Sequence, residues 1–260
     1  MSDSAIPGRP VWIDLTTSDT AAAQAFYGSL FGWTFTDTGA DFGHYHIIDL
    51  GGKAVGGLMG RVPEMGEAPG GWSVYLHTGD AAETARRAAE HGTVPWPSEV
   101  VGDMGTMGSA LDPTGGATGF WQPASFAGTE IVAAPGAPCW YEYLTPDFDA
   151  SADFFTAVFD WPLAPMPDEL AAGAPEGFRY ATAGGGDDAV AGILTTSYVP
   201  AGAPGTWRVY LGATDVDATA RSVADLGGTV LEAPQDSPFG RMGAVADPEG
   251  YGFLLTEAAG

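Results

Sequence analysis

Short runs of alternating apolar and polar residues along this chain are separated by stretches in which apolar residues recur every three or four positions. Trp12 to Thr16 and Trp140 to Leu144 are β-prone runs, each followed by an Asp and small residues. Behind them Phe26, Tyr27, Leu30 and Phe31 fall on one face of a helix, as do Phe154, Phe155, Val158 and Phe159. Strand-like segments follow at Tyr45–Leu50 and Phe178–Thr182, then at Ala54–Met59 and Ala189–Leu194. Trp72–His77 and Trp207–Gly212 each lead into an Ala-rich helix that Gly92 or Gly227-Gly228 stops. Asp80 with Glu83 makes a capping box for the first of these. Two final strands flank each Asp-Pro-x-Gly turn, at Asp112 and at Asp247.

These elements are one pattern written twice. At an offset of 128, Val11-Trp12-Ile13-Asp14-Leu15 lies over Cys139-Trp140-Tyr141-Glu142-Tyr143, and Phe31-Gly32-Trp33 over Phe159-Asp160-Trp161. An insertion then shifts the offset to 135, where Val55-Gly56-Gly57-Leu58 meets Val190-Ala191-Gly192-Ile193 and Asp112-Pro113 meets Asp247-Pro248. So many ordered matches establish an internal duplication. Each copy reads β-α-β-β and then β-α-β-β, which makes two βαβββ-type half-modules per copy and four along the chain. The expected domains are residues 1–124 and 139–260, joined by a Pro-, Gly- and Ala-rich linker over 125–138.

Charge narrows the partners. The net charge of −24 comes from 33 acids against Lys53 and eight arginines. Such a surface repels phosphate backbones and anionic lipid, so neither nucleic acid nor a membrane is expected as partner. The acids are scattered, as for a solvated surface. Cys139 is the only cysteine, which rules out an internal disulfide and disfavours a thiolate metal site. With no long apolar run and no basic-apolar leader at Met1-Ser2-Asp3-Ser4, a cytoplasmic protein is expected, monomeric or weakly dimeric.

The segment Ala25-Phe26-Tyr27-Gly28-Ser29-Leu30-Phe31-Gly32-Trp33, the Asp80 and Asp215 helices and the Asp112-Pro113 and Asp247-Pro248 turns resemble the vicinal oxygen chelate superfamily. This group joins glyoxalases, bleomycin-resistance proteins and extradiol dioxygenases. The chain looks most like its tandem actinobacterial members, often labelled hydroxylases without demonstrated activity. The resemblance implies an α+β fold of two tandem glyoxalase-like domains, each a pair of βαβββ modules whose mixed sheet forms a cup around a small molecule. Many members hold a divalent metal there with His and Glu. The matching positions here are Trp12 and Trp140, Ser73 and Arg208, Gly119 and Leu254, and Gly57 and Gly192. None is His, Glu or Asp, so no metal and no other cofactor is expected.

Strand alternation sets Asp14 on the face of Trp12, and Glu142 on that of Trp140. One reading is an aromatic wall beside a carboxylate, which would also make Asp14 and Glu142 candidate acid–base residues. The other is that the tryptophans are core and the acids meet solvent or a backbone amide. Ser73 shares a face with Tyr75 and His77, and Arg208 with Tyr210. Arg208 is suited either to clamping a ligand carboxylate or phenolate or to pairing with an acid. Trp72 and Trp207 complete the candidate ligand-binding set of Trp12, Ser73, Tyr75, Trp140, Arg208 and Tyr210. His46 is a third catalytic candidate; it shares a strand face with His44, but no third metal ligand is evident, and hydrogen-bonded or surface histidines are expected. His91 complements a helix dipole. Met59, Met65, Met104 and Met107 read as core filler or cup lining.

Metal-independent binding of a small hydrophobic or aromatic molecule, of the sequestration or resistance type, is the leading functional expectation. The alternative is an enzyme of the same fold, with acid–base or lyase-type tailoring of an aromatic natural product, or glyoxalase- or dioxygenase-like chemistry if a metal is bound; a stress-response or interaction protein with vestigial cups is a third.

Overall fold

The computed structural model describes residues 6–62, 70–167, 169–170 and 173–258. Met65 and the first five residues, on which two of the sequence readings rest, lie outside them. The first repeat runs β1 (Pro10–Thr17), α1 (Thr20–Phe31), β2 (Thr34–Asp37), β3 (His46–Asp49), β4 (Ala54–Gly60), β5 (Gly71–His77), α2 (Ala81–His91), β6 (Glu99–Val101), β7 (Gly105–Leu111) and β8 (Ala117–Pro123). The second runs β9 (Pro138–Leu144), α3 (Phe148–Phe159), β10 (Leu163–Pro165), β11 (Arg179–Ala183), β12 (Ala191–Thr195), β13 (Thr206–Ala213), α4 (Val216–Asp225), β14 (Thr229–Ser237), β15 (Gly240–Ala246) and β16 (Gly252–Glu257). Strands β1–β8 belong to one eight-stranded sheet and β9–β16 to another, an α+β fold of four βαβββ half-modules.

An aspartate starts each of α1 to α4. Asp19, Asp80, Asp147 and Asp215 each accept a hydrogen bond from the amide three residues on, which satisfies one of the orphan amides of the first turn. The capping box expected at Asp80 forms only halfway. The Asp80 amide bonds to Thr78 Oγ1, and the Glu83 carboxylate turns to Arg86 and Arg87 because two guanidiniums outbid one backbone amide. Helix α1 ends at Gly32 with φ of 72°, and α3 ends at Asp160 in the same left-handed conformation, φ 56°.

The sequence reading placed two strands after each helix where the structure has three. In all four half-modules the missed strand is the first one, β2, β6, β10 or β14, and each is a sheet edge. An edge strand is wet on both faces, so no hydrophobic alternation announces it; seven of the nine residues of β14 are exposed and two half-buried, and Pro234 interrupts it.

Backbone contacts divide the chain into two compact units that interleave the repeats. One comprises residues 1–11, 74–127 and 141–207, the other 12–73, 128–140 and 208–260. Each joins one half-module from each sheet. In the second unit the strands run β2-β3-β4-β1 and β13-β16-β15-β14, with α1 against α4; in the first they run β5-β8-β7-β6 and β10-β11-β12-β9, with α2 against α3. The cores are aromatic. Trp33 stacks on Tyr27 at 5.4 Å and donates its indole N–H to the Gly136 carbonyl. Trp161 stacks on Phe155 at 4.5 Å and donates to the Gly8 carbonyl. These partners explain why the Phe-Gly-Trp and Phe-Asp-Trp steps recur: the indole has a ring to cover and a carbonyl to reach.

Candidate functional site

The site begins with a strand pairing. On the parallel strands β1 and β4, Asp14 stands opposite Gly57. Asp14 is only 4% exposed. Tyr45, just before β3, reaches across the glycine so closely that a Cβ there would lie 1.6 Å from its hydroxyl. Trp12 donates its indole N–H to that hydroxyl at 2.7 Å. Burial, and then the charge of Asp14, push the Tyr45 phenol well above its ordinary value, so it stays a neutral donor. A glycine at this position is what gives phenol and carboxylate room to meet.

The other unit repeats the device. Glu142 on β9 stands opposite Gly192 on β12, and Tyr180 on β11 donates to Glu142 Oε1 at 2.8 Å. A Cβ on Gly192 would lie 2.2 Å from the Tyr180 hydroxyl. Glu142 is 6% exposed, and Trp140, half-buried, precedes it by two residues on the strand. Sequence reasoning singled out the two acids and missed both tyrosines. Tyr45 and Tyr180 match at the offset of 135, each twelve residues before its glycine, which is the signal that could have found them.

The remaining candidates scatter. Trp72 and Trp207 share strand faces with Val74 and Val209, opposite to Ser73, Tyr75, Arg208 and Tyr210. Trp72 packs edge-on to Tyr27 and Trp33, while Trp207 packs on Tyr143, Phe155 and Trp161 and donates to Thr118 Oγ1. Trp207 is buried and Trp72 half-buried, each giving the aromatic cluster around α3 or α1 a ring from the neighbouring strand. Ser73, Tyr75 and Arg208 are half-buried and Tyr210 is buried. Tyr75 lies over Gly119, where a Cβ would come within 2.4 Å of its ring, whereas Tyr210 stands opposite Leu254.

The histidines do not form a pair. His44 precedes β3 at φ 56° and bonds Asp37 at 2.9 Å in the open, so it is not on a strand with His46. His46 pairs with Leu58 and shares the face of Ile48, opposite to Tyr45, and its Nδ1 is buried with no hydrogen-bond partner among the described residues. His91 is in the last turn of α2. His77 closes β5, and burial and then Arg9 lower its pKa.

The divalent metal that the resemblance implies does not fit the residues found. Gly57 and Gly119 are covered by tyrosines, Leu254 is apolar and Trp12 spends its N–H on Tyr45. Among the described residues no group of three or more His, Cys, Asp or Glu side chains is placed to hold a metal ion.

A glyoxalase-like domain model matches residues 142–256. CFP32 of Mycobacterium tuberculosis, provisionally named a glyoxylase, is 35% identical over 257 residues, covering 97% of this chain and 95% of that protein. The anthracycline biosynthesis protein DnrV of Streptomyces peucetius is 34% identical over 268 residues, covering 96% and 94%. Among solved structures, the Mn(II)-bound glyoxalase from Novosphingobium aromaticivorans gives a TM-score of 0.67 at 14% identity, over 97% of this chain and 83% of that one. The 2,2',3-trihydroxybiphenyl 1,2-dioxygenase from Sphingomonas wittichii gives 0.65 at 12%, over 97% and 91%. At these identities the two structures speak for the fold alone.

Proposed function

Since this chain belongs to the glyoxalase-like family of the vicinal oxygen chelate superfamily, we propose that it binds a small planar aromatic molecule without using a metal. The observation that carries this reading is the buried tyrosine–carboxylate pair over a glycine, built once in each repeat. A neutral phenol donates, and a carboxylate, with about four lone-pair positions, can accept from several donors together. Trp12 beside Asp14 and Trp140 beside Glu142 supply flat apolar area for an aromatic ring. Two relatives named for anthracycline biosynthesis support an aromatic product of secondary metabolism as the ligand class. Sequestration needs affinity and no reaction.

The second reading is catalysis on such a molecule, with Asp14 or Glu142 as base and the tyrosine as proton donor; the burial of both acids favours it. Tryptophan fluorescence titration with an anthraquinone, followed by analysis of the recovered compound, separates the two. Saturable quenching with the anthraquinone unchanged, weakened by Asp14→Asn and Glu142→Gln, supports sequestration. Conversion of the compound that ends in those variants while binding persists makes the protein an enzyme, and absence of any binding overturns both.

A further inference from the structure

A cavity of about 510 Å³ opens in the unit formed by residues 1–11, 74–127 and 141–207, and none of its lining residues belongs to the tyrosine–carboxylate pairs. Its volume falls within the range of ligand pockets, about 300–1,000 Å³. Arg9, a cation, and His77, which can become one, both line it, and their backbones pair. The His77 amide donates to the Arg9 carbonyl at 2.8 Å, and the Arg9 charge is felt at the His77 ring.

The acids of the wall are already held. Glu83 is bound by Arg86 and Arg87, Asp160 by Arg87 at 2.9 Å, and Asp80 accepts from the Glu83 amide as the cap of α2. No ion pair or side-chain hydrogen bond engages the Arg9 guanidinium among the described residues. In a chain of net charge −24, an arginine that no carboxylate of the described residues engages, paired through its backbone with a histidine, is a position for an anion. Each cation disfavours the other, and an anion between them reverses that sign. The wall contributed by Ile6, Val158 and Phe159 is apolar.

We propose that this cavity is a second ligand site, taking a small organic monocarboxylate whose charge bridges Arg9 and His77 and whose apolar body lies on Val158 and Phe159. The guanidinium fork suits a carboxylate in two-point contact. Charged groups facing His77 come from three elements: Arg9 before β1, Asp80, Glu83 and Arg87 on α2, and Asp160 after α3. Glu83, held down to about 2 by its arginines, stays ionised throughout the working range. His77 is then the group that titrates, and the bound anion makes its proton harder to lose. Affinity rises as pH falls between about 8 and 5.

Calorimetric titration of the full chain with sodium benzoate, and separately with inorganic phosphate, tests this. One benzoate per chain is expected, bound more tightly at low pH and unaffected by the Asp14→Asn, Glu142→Gln double substitution. Arg9→Gln weakens it roughly tenfold to a hundredfold, while Arg9→Lys, which keeps the charge but not the fork, loses less. In the unaltered protein, saturating benzoate raises the titration midpoint of the His77 imidazole read by NMR, a result that does not depend on any variant folding. Unchanged affinity in Arg9→Gln, loss in the Asp14/Glu142 double variant, an unmoved His77 midpoint, or phosphate binding as tightly as benzoate would each overturn the proposal.

Discussion

The two units solve one problem, the buried aspartate of the Asp-Pro-x-Gly turn, with different residues. In one, Asp247 accepts a hydrogen bond from Tyr27 of α1 at 3.1 Å. In the other, Asp112 accepts from Ser151 of α3, which in turn bonds Thr145. The repeat aligns Tyr27 with Phe155 and Ala23 with Ser151. Each helix therefore carries one hydroxyl toward the turn, at one of two positions a helical turn apart. The acceptor's need is fixed by its burial, and the residue that meets it is free to move. The tyrosine–carboxylate pairs follow the same rule in milder form: Asp14 and Glu142 differ by a methylene, while the tyrosine and the glycine beneath it stay in place.

Removing the stacked indoles separates the units most sharply. Trp161→Ala and Trp33→Ala should each cost about 3–5 kcal/mol. Trp161 should lose more, because it stacks 4.5 Å from its partner against 5.4 Å for Trp33. Urea unfolding checks the order, and a larger loss at Trp33 breaks the comparison. Gly57→Ala comes next, at about 1–3 kcal/mol, with Gly192→Ala below it. The added Cβ would sit 1.6 Å from Tyr45 and 2.2 Å from Tyr180 respectively. Thermal melting that leaves both variants at the parental Tm means the tyrosines swing aside freely and the pairs are not fixed.

Asp247→Asn sharpens the contrast through pH. Burial raises the Asp247 carboxyl above 3.8, so the folded chain holds this proton more tightly than the unfolded one. Its contribution to stability is then greatest below the ordinary value and is lost as pH rises through the folded one. The stability of the parent minus that of Asp247→Asn should fall with rising pH across that window. A difference that rises with pH contradicts the burial argument. Smallest is Thr118→Val, about 1 kcal/mol, from stranding the buried Trp207 indole N–H that now bonds Thr118; calorimetry reading no loss would show that the indole finds another acceptor.

Much of this was legible beforehand. The duplication, the helices and the inner strands follow from aromatic and glycine matches in register, and Asp14 and Glu142 stood out as candidates because they recur beside a tryptophan. The edge strands were not legible, since exposure on both faces erases the alternation that marks a strand. That Trp72 and Trp207 take the strand face opposite to Ser73 and Arg208 follows from alternation, but composition does not say which face meets the aromatic clusters. Tyr45 and Tyr180 escaped because nothing local marks a tyrosine that crosses a glycine of the neighbouring strand, two residues of register away. The Arg9–His77 juxtaposition depends on a backbone pairing between residues 68 positions apart, which no local spacing reveals.

The central claim is that the tyrosine–carboxylate pairs bind an aromatic ligand with no metal. Its most direct test is tryptophan fluorescence titration of EDTA-treated protein with an anthraquinone, before and after Mn²⁺ is added back. The account predicts the same saturable quenching in both, abolished in the Asp14→Asn, Glu142→Gln double variant. Binding that appears only with Mn²⁺, or that survives in the double variant, contradicts it.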